Sequence, residues 1–247
     1  MDLIQYPAIL STEAAPKMSD RYSFVNTMEV VEMFNEQGWN IRSASQVRSR
    51  KGGEKYAAHE VRLQKQGFAQ VGDTVPEIIV TNAHNGQKPL DILMGLFRLV
   101  CRNGLTVPEK GLNEQFKIRH IGITPEDIKR LIEQIDANLS GVSERVKRMM
   151  ETPMSNEAAI EFLHQSSAIR FDKGVEINFD DFLTAQRNED ANETVWSVFN
   201  IAQERIMGGD YKATKGGKVR KAKPITSFLK ANEINVKLWE AAEAFCN

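Results

Sequence analysis

The hydrophobic period of this 247-residue chain switches from two residues to helical at Thr124, and that change constrains the fold more than any motif. Ahead of it, from Trp39, side chains alternate with period two. Trp39, Ile41, Ser43, Ser45 and Val47 fall on one face, and Asn40, Arg42, Gln46, Arg48 and Arg50 on the other. Lys51-Gly52-Gly53-Glu54-Lys55 reads as a hairpin turn. A second strand follows, with Ala57, His59, Val61 and Leu63 inward and Tyr56, Glu60, Arg62 and Gln64 outward. Residues 77–84 read as a third strand with Ile78 and Val80 on one face. Before the strands, Asn26 and Glu29 fit a helix N-cap, and Val30, Val31, Met33 and Phe34 supply its apolar face up to Gly38.

Residues 95–105, Gly-Leu-Phe-Arg-Leu-Val-Cys-Arg-Asn-Gly-Leu, are the densest apolar stretch of the first half. Pro89 suits a helix start and Asn103-Gly104 a left-handed cap, so 89–102 is expected to be a buried helix. Arg98 and Arg102, four residues apart, would share one face of it and need an anion there, an internal carboxylate or a phosphate. Short strands are expected near 105–107 and 116–121. Past Gly122, Thr124-Pro125-Glu126-Asp127 opens a helix with cap, proline and first-turn acids in place. Ser155, Asp180 or Asp181, Thr194 and Asn232 are the expected caps of further helices, and 211–223 reads as a basic loop. The expected class is therefore α+β: an antiparallel meander sheet backed by a buried helix, in residues 1–123, followed by a mainly helical half, 124–247.

Charge is segregated beneath a net value of −1: residues 1–123 carry +2, 124–211 carry −8 and 212–247 carry +5. An acidic middle between basic ends points to an anionic partner shared by those ends. No apolar run approaches a membrane span, and the first residues lack a basic region followed by an apolar core. No membrane association is expected, and the cytoplasm is the expected location. The two cysteines read as free thiols.

Catalytic and metal chemistry find little to stand on. His59, His84, His120 and His164 show no mutual ligand spacing, and the cysteines show none either. No Gly-x-Ser-x-Gly occurs, and Lys215-Gly216-Gly217-Lys218 lacks the spacing of a phosphate-binding loop. Neither an enzyme nor a cofactor is expected; a hydrolase or transferase built on His59, His84 and His120 ranks third among the functional readings.

Nucleic-acid binding has more support. Residues 42–65 hold seven basic side chains against two acids. Arg42, Arg48, Arg50, Lys51, Lys55 and Arg62 are the candidate phosphate contacts on this hairpin, with Tyr56 as a stacking partner for bases. Arg98 and Arg102 would extend the track, and Lys218, Arg220 and Lys221 in the basic loop would clamp the strand. No zinc finger, helix-turn-helix or RNP signature points to sequence-specific reading.

A family resemblance rests on Arg21-Tyr22, Thr27, Gly38-Trp39, His59, Pro76-Glu77-Ile78, Asn82, Gly86, the 95–105 block, His120, Thr194-Val195-Trp196, Asn200, Gln203-Glu204 and Gly208-Gly209. This pattern resembles the phage/plasmid-like protein family, domain of unknown function 932. The resemblance implies a mobile-element protein working in bacterial cytoplasm and carries no mechanism. In element order, a helix, a basic meander and a packed helix are similar to the core of phage and eukaryotic single-strand annealing proteins, a fold analogy only. The leading expectation is a phage or mobile-element protein that binds single-stranded DNA as a homo-oligomer, ring or filament, and anneals strands in recombination. Its rival is a phage protein that binds and antagonises a host defence protein through the acidic half.

Overall fold

The computed structural model describes residues 2–49, 52–65, 72–98, 104–107, 117–122, 124–171, 175–177, 190, 193–209 and 211–246. Its α+β class agrees with the sequence reading, and the chain divides into two compact units, Met1–Val142 and Ser143–Asn247.

In the first unit, α1 (Thr27–Asn35) starts where Asn26 accepts a hydrogen bond from the Met28 N–H, and it buries Thr27, Val30, Val31 and Phe34. Phe34 meets Trp39 edge to face at 6.5 Å, at the start of β1 (Trp39–Gln46). A one-turn 3₁₀ helix, Glu54–Tyr56, leads into β2 (His59–Lys65), followed by β3 (Thr74–Asn82) and β4 (Leu90–Arg98). These four pair in order, all antiparallel. Two short strands, β5 (Gly104–Val107) and β6 (Lys117–Ile118), both pair with β4.

Two expectations are corrected here. The segment expected as a buried helix from Pro89 is the strand β4, with Leu90, Ile92, Met94 and Leu96 buried at every second position. Leu93 and Phe97 fill the alternate positions, and a strand apolar on both faces carries the same residues as a buried helix segment. The element backing the sheet at its β1 side is α1. The alternation along β1 is also broken, because the register shifts between Ile41 and Ser43 with Arg42 as the extra residue. Beyond this bulge Ala44 and Gln46 share a face with Ile41, and Ser43 and Ser45 take the other, reversing the expected faces.

Thr124 and Asp127 cap α2 (Pro125–Glu151), whose buried Ile128, Leu131, Ile132 and Ile135 follow helical spacing. The division between the units falls inside α2, beyond the change of period at Thr124.

The second unit holds α3 (Asn156–Arg170), β7 (Val175–Ile177), α4 (Val195–Gly208), β8 (Lys212–Lys215), β9 (Lys218–Lys221) and α5 (Phe228–Glu243). Ser155 and Thr194 cap α3 and α4 as expected. The last helix begins after Ser227, earlier than the expected cap at Asn232, which lies buried inside it. Trp239 packs edge to face on Trp196 and Phe199, at 6.2 and 5.6 Å, and Arg145 donates to both Glu243 oxygens beside them. The expected basic loop is instead the hairpin β8–β9, with β7 paired on β8. Asp180 and Asp181 lie outside the described residues.

Candidate functional site

Three groupings of polar side chains stand out. The first lies on the face of the sheet that carries Arg42, Arg62, Glu77 and Phe97. Glu77 is fully buried and accepts from Arg42 Nε at 3.0 Å and from Arg62 Nη1 at 2.5 Å. Arg62 Nε donates to Glu60 at 2.8 Å, and Arg42 lies over the Phe97 ring at 4.1 Å. Burial alone would lower the Arg62 pKa, but Glu77 and Glu60 outweigh it and hold the pKa above its ordinary value. Arg98, 2% exposed, donates to Asp73 Oδ2 at 2.5 Å.

These pairings correct part of the expected phosphate track. Arg62 and Arg98 are buried with carboxylate partners, so they complete internal ion pairs and present no charge to a ligand. Arg42, half-buried, is also paired with Glu77. Arg48 and Lys55 are exposed, while half-buried Tyr56 donates to Glu13 Oε1 at 3.3 Å. Arg50, Lys51 and Arg102 lie outside the described residues.

The second grouping is a buried network around Asn82, at the end of β3. Asn82 donates to the Val25 carbonyl and to Thr27 Oγ1, both at 3.1 Å, and its Oδ1 accepts from the Ala83 N–H. His59 donates from Nδ1 to the Ala57 carbonyl, which leaves Nε2 to accept from Thr27 at 2.7 Å. His120 places Nδ1 3.0 Å from the Ser23 carbonyl and Nε2 2.9 Å from Asn82 Oδ1. His84 donates to the Ala8 carbonyl at 2.9 Å, its Nδ1 has no partner among the described residues, and its ring lies 4.9 Å from that of His59. Burial lowers all three pKa values, to about 3 at His59 and about 4 at His84, so these rings are neutral at pH 7. The histidines that the sequence scattered over three elements thus meet, and Tyr22, Thr27 and Asn82 from the resemblance pattern meet with them. Contacts over such separations leave no local signal in a sequence.

The third grouping is the ribbon β8–β9. Gly216 and Gly217, with φ of +55° and +72°, form its two-residue turn, a backbone conformation that glycine adopts without strain. The register sets Lys212 opposite Lys221 and Lys215 opposite Lys218. Lys215, Lys218 and Arg220 share one face, and Val219, 61% exposed, sits on the other. Lys218, Arg220 and Lys221, the expected clamp residues, are all exposed, and the pairing adds Lys212 and Lys215 to them. The missed signal was Gly-Gly between two alternating segments, a hairpin pattern.

Among the described residues, no group of three or more histidine, cysteine, aspartate or glutamate side chains is arranged to hold a metal ion, and no helix is long and apolar enough to cross a membrane. The profile of a domain of unknown function, DUF932, matches residues 16–231. The UPF0380 protein YafZ of Escherichia coli (strain K12) is 26% identical over 244 residues, an alignment spanning 96% of this chain and 87% of the relative. The UPF0380 protein YfjQ of the same strain is 25% identical over 247 residues, with 96% and 87% spanned. No solved structure matches the chain. With most of its length matched by that profile, the chain belongs to the DUF932 family.

Proposed function

We propose that this protein binds single-stranded nucleic acid through the β8–β9 ribbon and serves a phage or other mobile element as a recombination protein that anneals strands. One observation carries the reading: an exposed ribbon whose register sets Lys215 against Lys218 beside its turn, with Lys212, Arg220 and Lys221 also exposed. Like charges directly opposite on a β-ribbon are destabilising, and phosphates laid along the ribbon relieve that repulsion. The arginines of the first hairpin do not share this role, since carboxylates already neutralise Arg42 and Arg62. Arg48 and Lys55 remain as exposed cations in the connection between β1 and β2.

The β8–β9 ribbon, the outer part of a three-stranded sheet, carries cations on both faces and would follow a flexible strand without reading its bases, which suits annealing of any sequence. Annealing also needs two strands held side by side, and a homo-oligomer supplies that. The test is fluorescence anisotropy with a labelled oligonucleotide at several salt concentrations. Three or four phosphate contacts give a slope of about −2 to −3 in log K against log salt. Absence of binding at low salt overturns the reading, and pull-down of a host protein under those conditions would install the defence-antagonist reading in its place.

A further inference from the structure

A cleft of about 480 Å³ opens beside the buried histidine network, and the ribbon reading makes no use of it. Its wall is the Tyr22 ring stacked on His120, with centroids 4.8 Å apart and planes inclined by 22°. Lys88 and Arg119, both exposed, line it with Ile121, which is 66% exposed, and no carboxylate is among the described lining residues. Gly86, at φ +72°, forms the turn at its edge.

The wall is held from behind. Tyr22 donates to the Ala83 carbonyl at 3.2 Å, and both ring nitrogens of His120 face internal oxygens, those of Ser23 and Asn82. The phenol stays neutral, since burial pushes its pKa to about 12. His120 therefore offers the cleft a ring edge and no proton, which points to binding rather than acid–base chemistry. Two cations with no carboxylate partner among the described residues select an anion, and a mostly aromatic and apolar wall selects a planar apolar body attached to it. The cleft's volume is that of an ordinary small-molecule site.

We propose that this cleft binds a 5′-phosphorylated nucleotide, with the base against the Tyr22–Ile121 wall and the phosphate between Lys88 and Arg119. The same chemistry is presented by a free mononucleotide and by the phosphorylated end of a strand. The site stands independently of the ribbon, because none of its residues belongs to β8 or β9.

Calorimetric titration of the full chain with 5′-AMP, adenosine and inorganic phosphate tests the site. AMP is expected to bind about tenfold or more tightly than either fragment, since each fragment loses one of the two contacts. Lys88→Ala with Arg119→Ala, both on the surface, should abolish AMP binding, whereas Lys215→Glu with Lys218→Glu should leave it intact. Oligonucleotides with a 5′-phosphate or a 5′-hydroxyl then separate the sources. A preference for the phosphate that vanishes in the Lys88/Arg119 variant identifies a strand end, and AMP binding without that preference identifies a free nucleotide. No AMP binding at millimolar concentration, or binding unchanged in the Lys88/Arg119 variant, overturns the proposal.

Discussion

Arg62 Nη1 donates to Glu77 Oε1 at 2.5 Å across the β2–β3 pair, and both side chains are buried. Glu77 also serves Arg42, and Arg62 also serves Glu60, so two cations and two anions neutralise one another on a single sheet face. A chain cannot bury any one of these charges alone. Once buried together, they tie β1 to β3 across β2 and fix which residue of each strand faces which.

Glu77→Gln is expected to destabilise the protein by about 3 to 5 kcal/mol, because two guanidinium groups lose their shared buried anion. Chemical denaturation measures this. A loss below about 1 kcal/mol, the value for an exposed pair, would mean that water reaches the cluster.

Arg98→Met leaves Asp73 without its guanidinium partner and is expected to lower stability by about 3 kcal/mol. The folded protein should keep its oligonucleotide affinity and salt slope. A folded Arg98→Met variant with weakened binding would return this arginine to the interface.

Lys215→Glu separates stability from binding in a single substitution. It turns the pair Lys215–Lys218 into opposite charges, which should raise stability by about 0.2 to 1 kcal/mol. It also removes a phosphate contact, so the salt slope should become shallower by about 0.7. Thermal melts and salt-dependent anisotropy on the same sample show both effects. Loss of stability without loss of binding would assign the ribbon a structural role.

Stability should fall in acid below pH 6.5. His59 and His84 have native pKa values depressed to about 3 and about 4, below the unfolded value, so the unfolded chain takes up protons first. Their contribution is complete above pH 6.5 and drains away as pH falls toward the native values. Each histidine adds about 1.4 kcal/mol per pH unit within that window. Denaturation at pH 7, 6 and 5 checks the slope, and His84→Phe should reduce it.

Local chemistry announced the elements it controls. Asn26, Ser155 and Thr194 cap the helices that follow them, and alternation exposed β2 and β3. Where two structures share one pattern, the sequence does not choose between them. Leu90 to Arg98 is apolar on both sides, which suits a buried helix and a buried strand equally, and only pairing with β3 decides between them. The bulge at Arg42 leaves no mark in composition, yet it exchanges the faces of the rest of β1. The ion pairs of Arg42 and Arg62 are illegible for a related reason: an arginine on a strand looks the same in sequence whether it faces water or Glu77.

The ribbon is seated as well as formed. Gly209, at φ +72°, closes α4 against the backbone of residues 222–224, where a Cβ would come within 2.8 Å of the Ala222 carbonyl oxygen. Ala222 donates back to Tyr211, and Ile225 to Met207, so hydrogen bonds tie the base of the β8–β9 pair. An arm fixed at its root loses little further freedom when it meets a strand. Its ordering is completed at the folding step, so in the proposed role it would take up and release a strand without refolding.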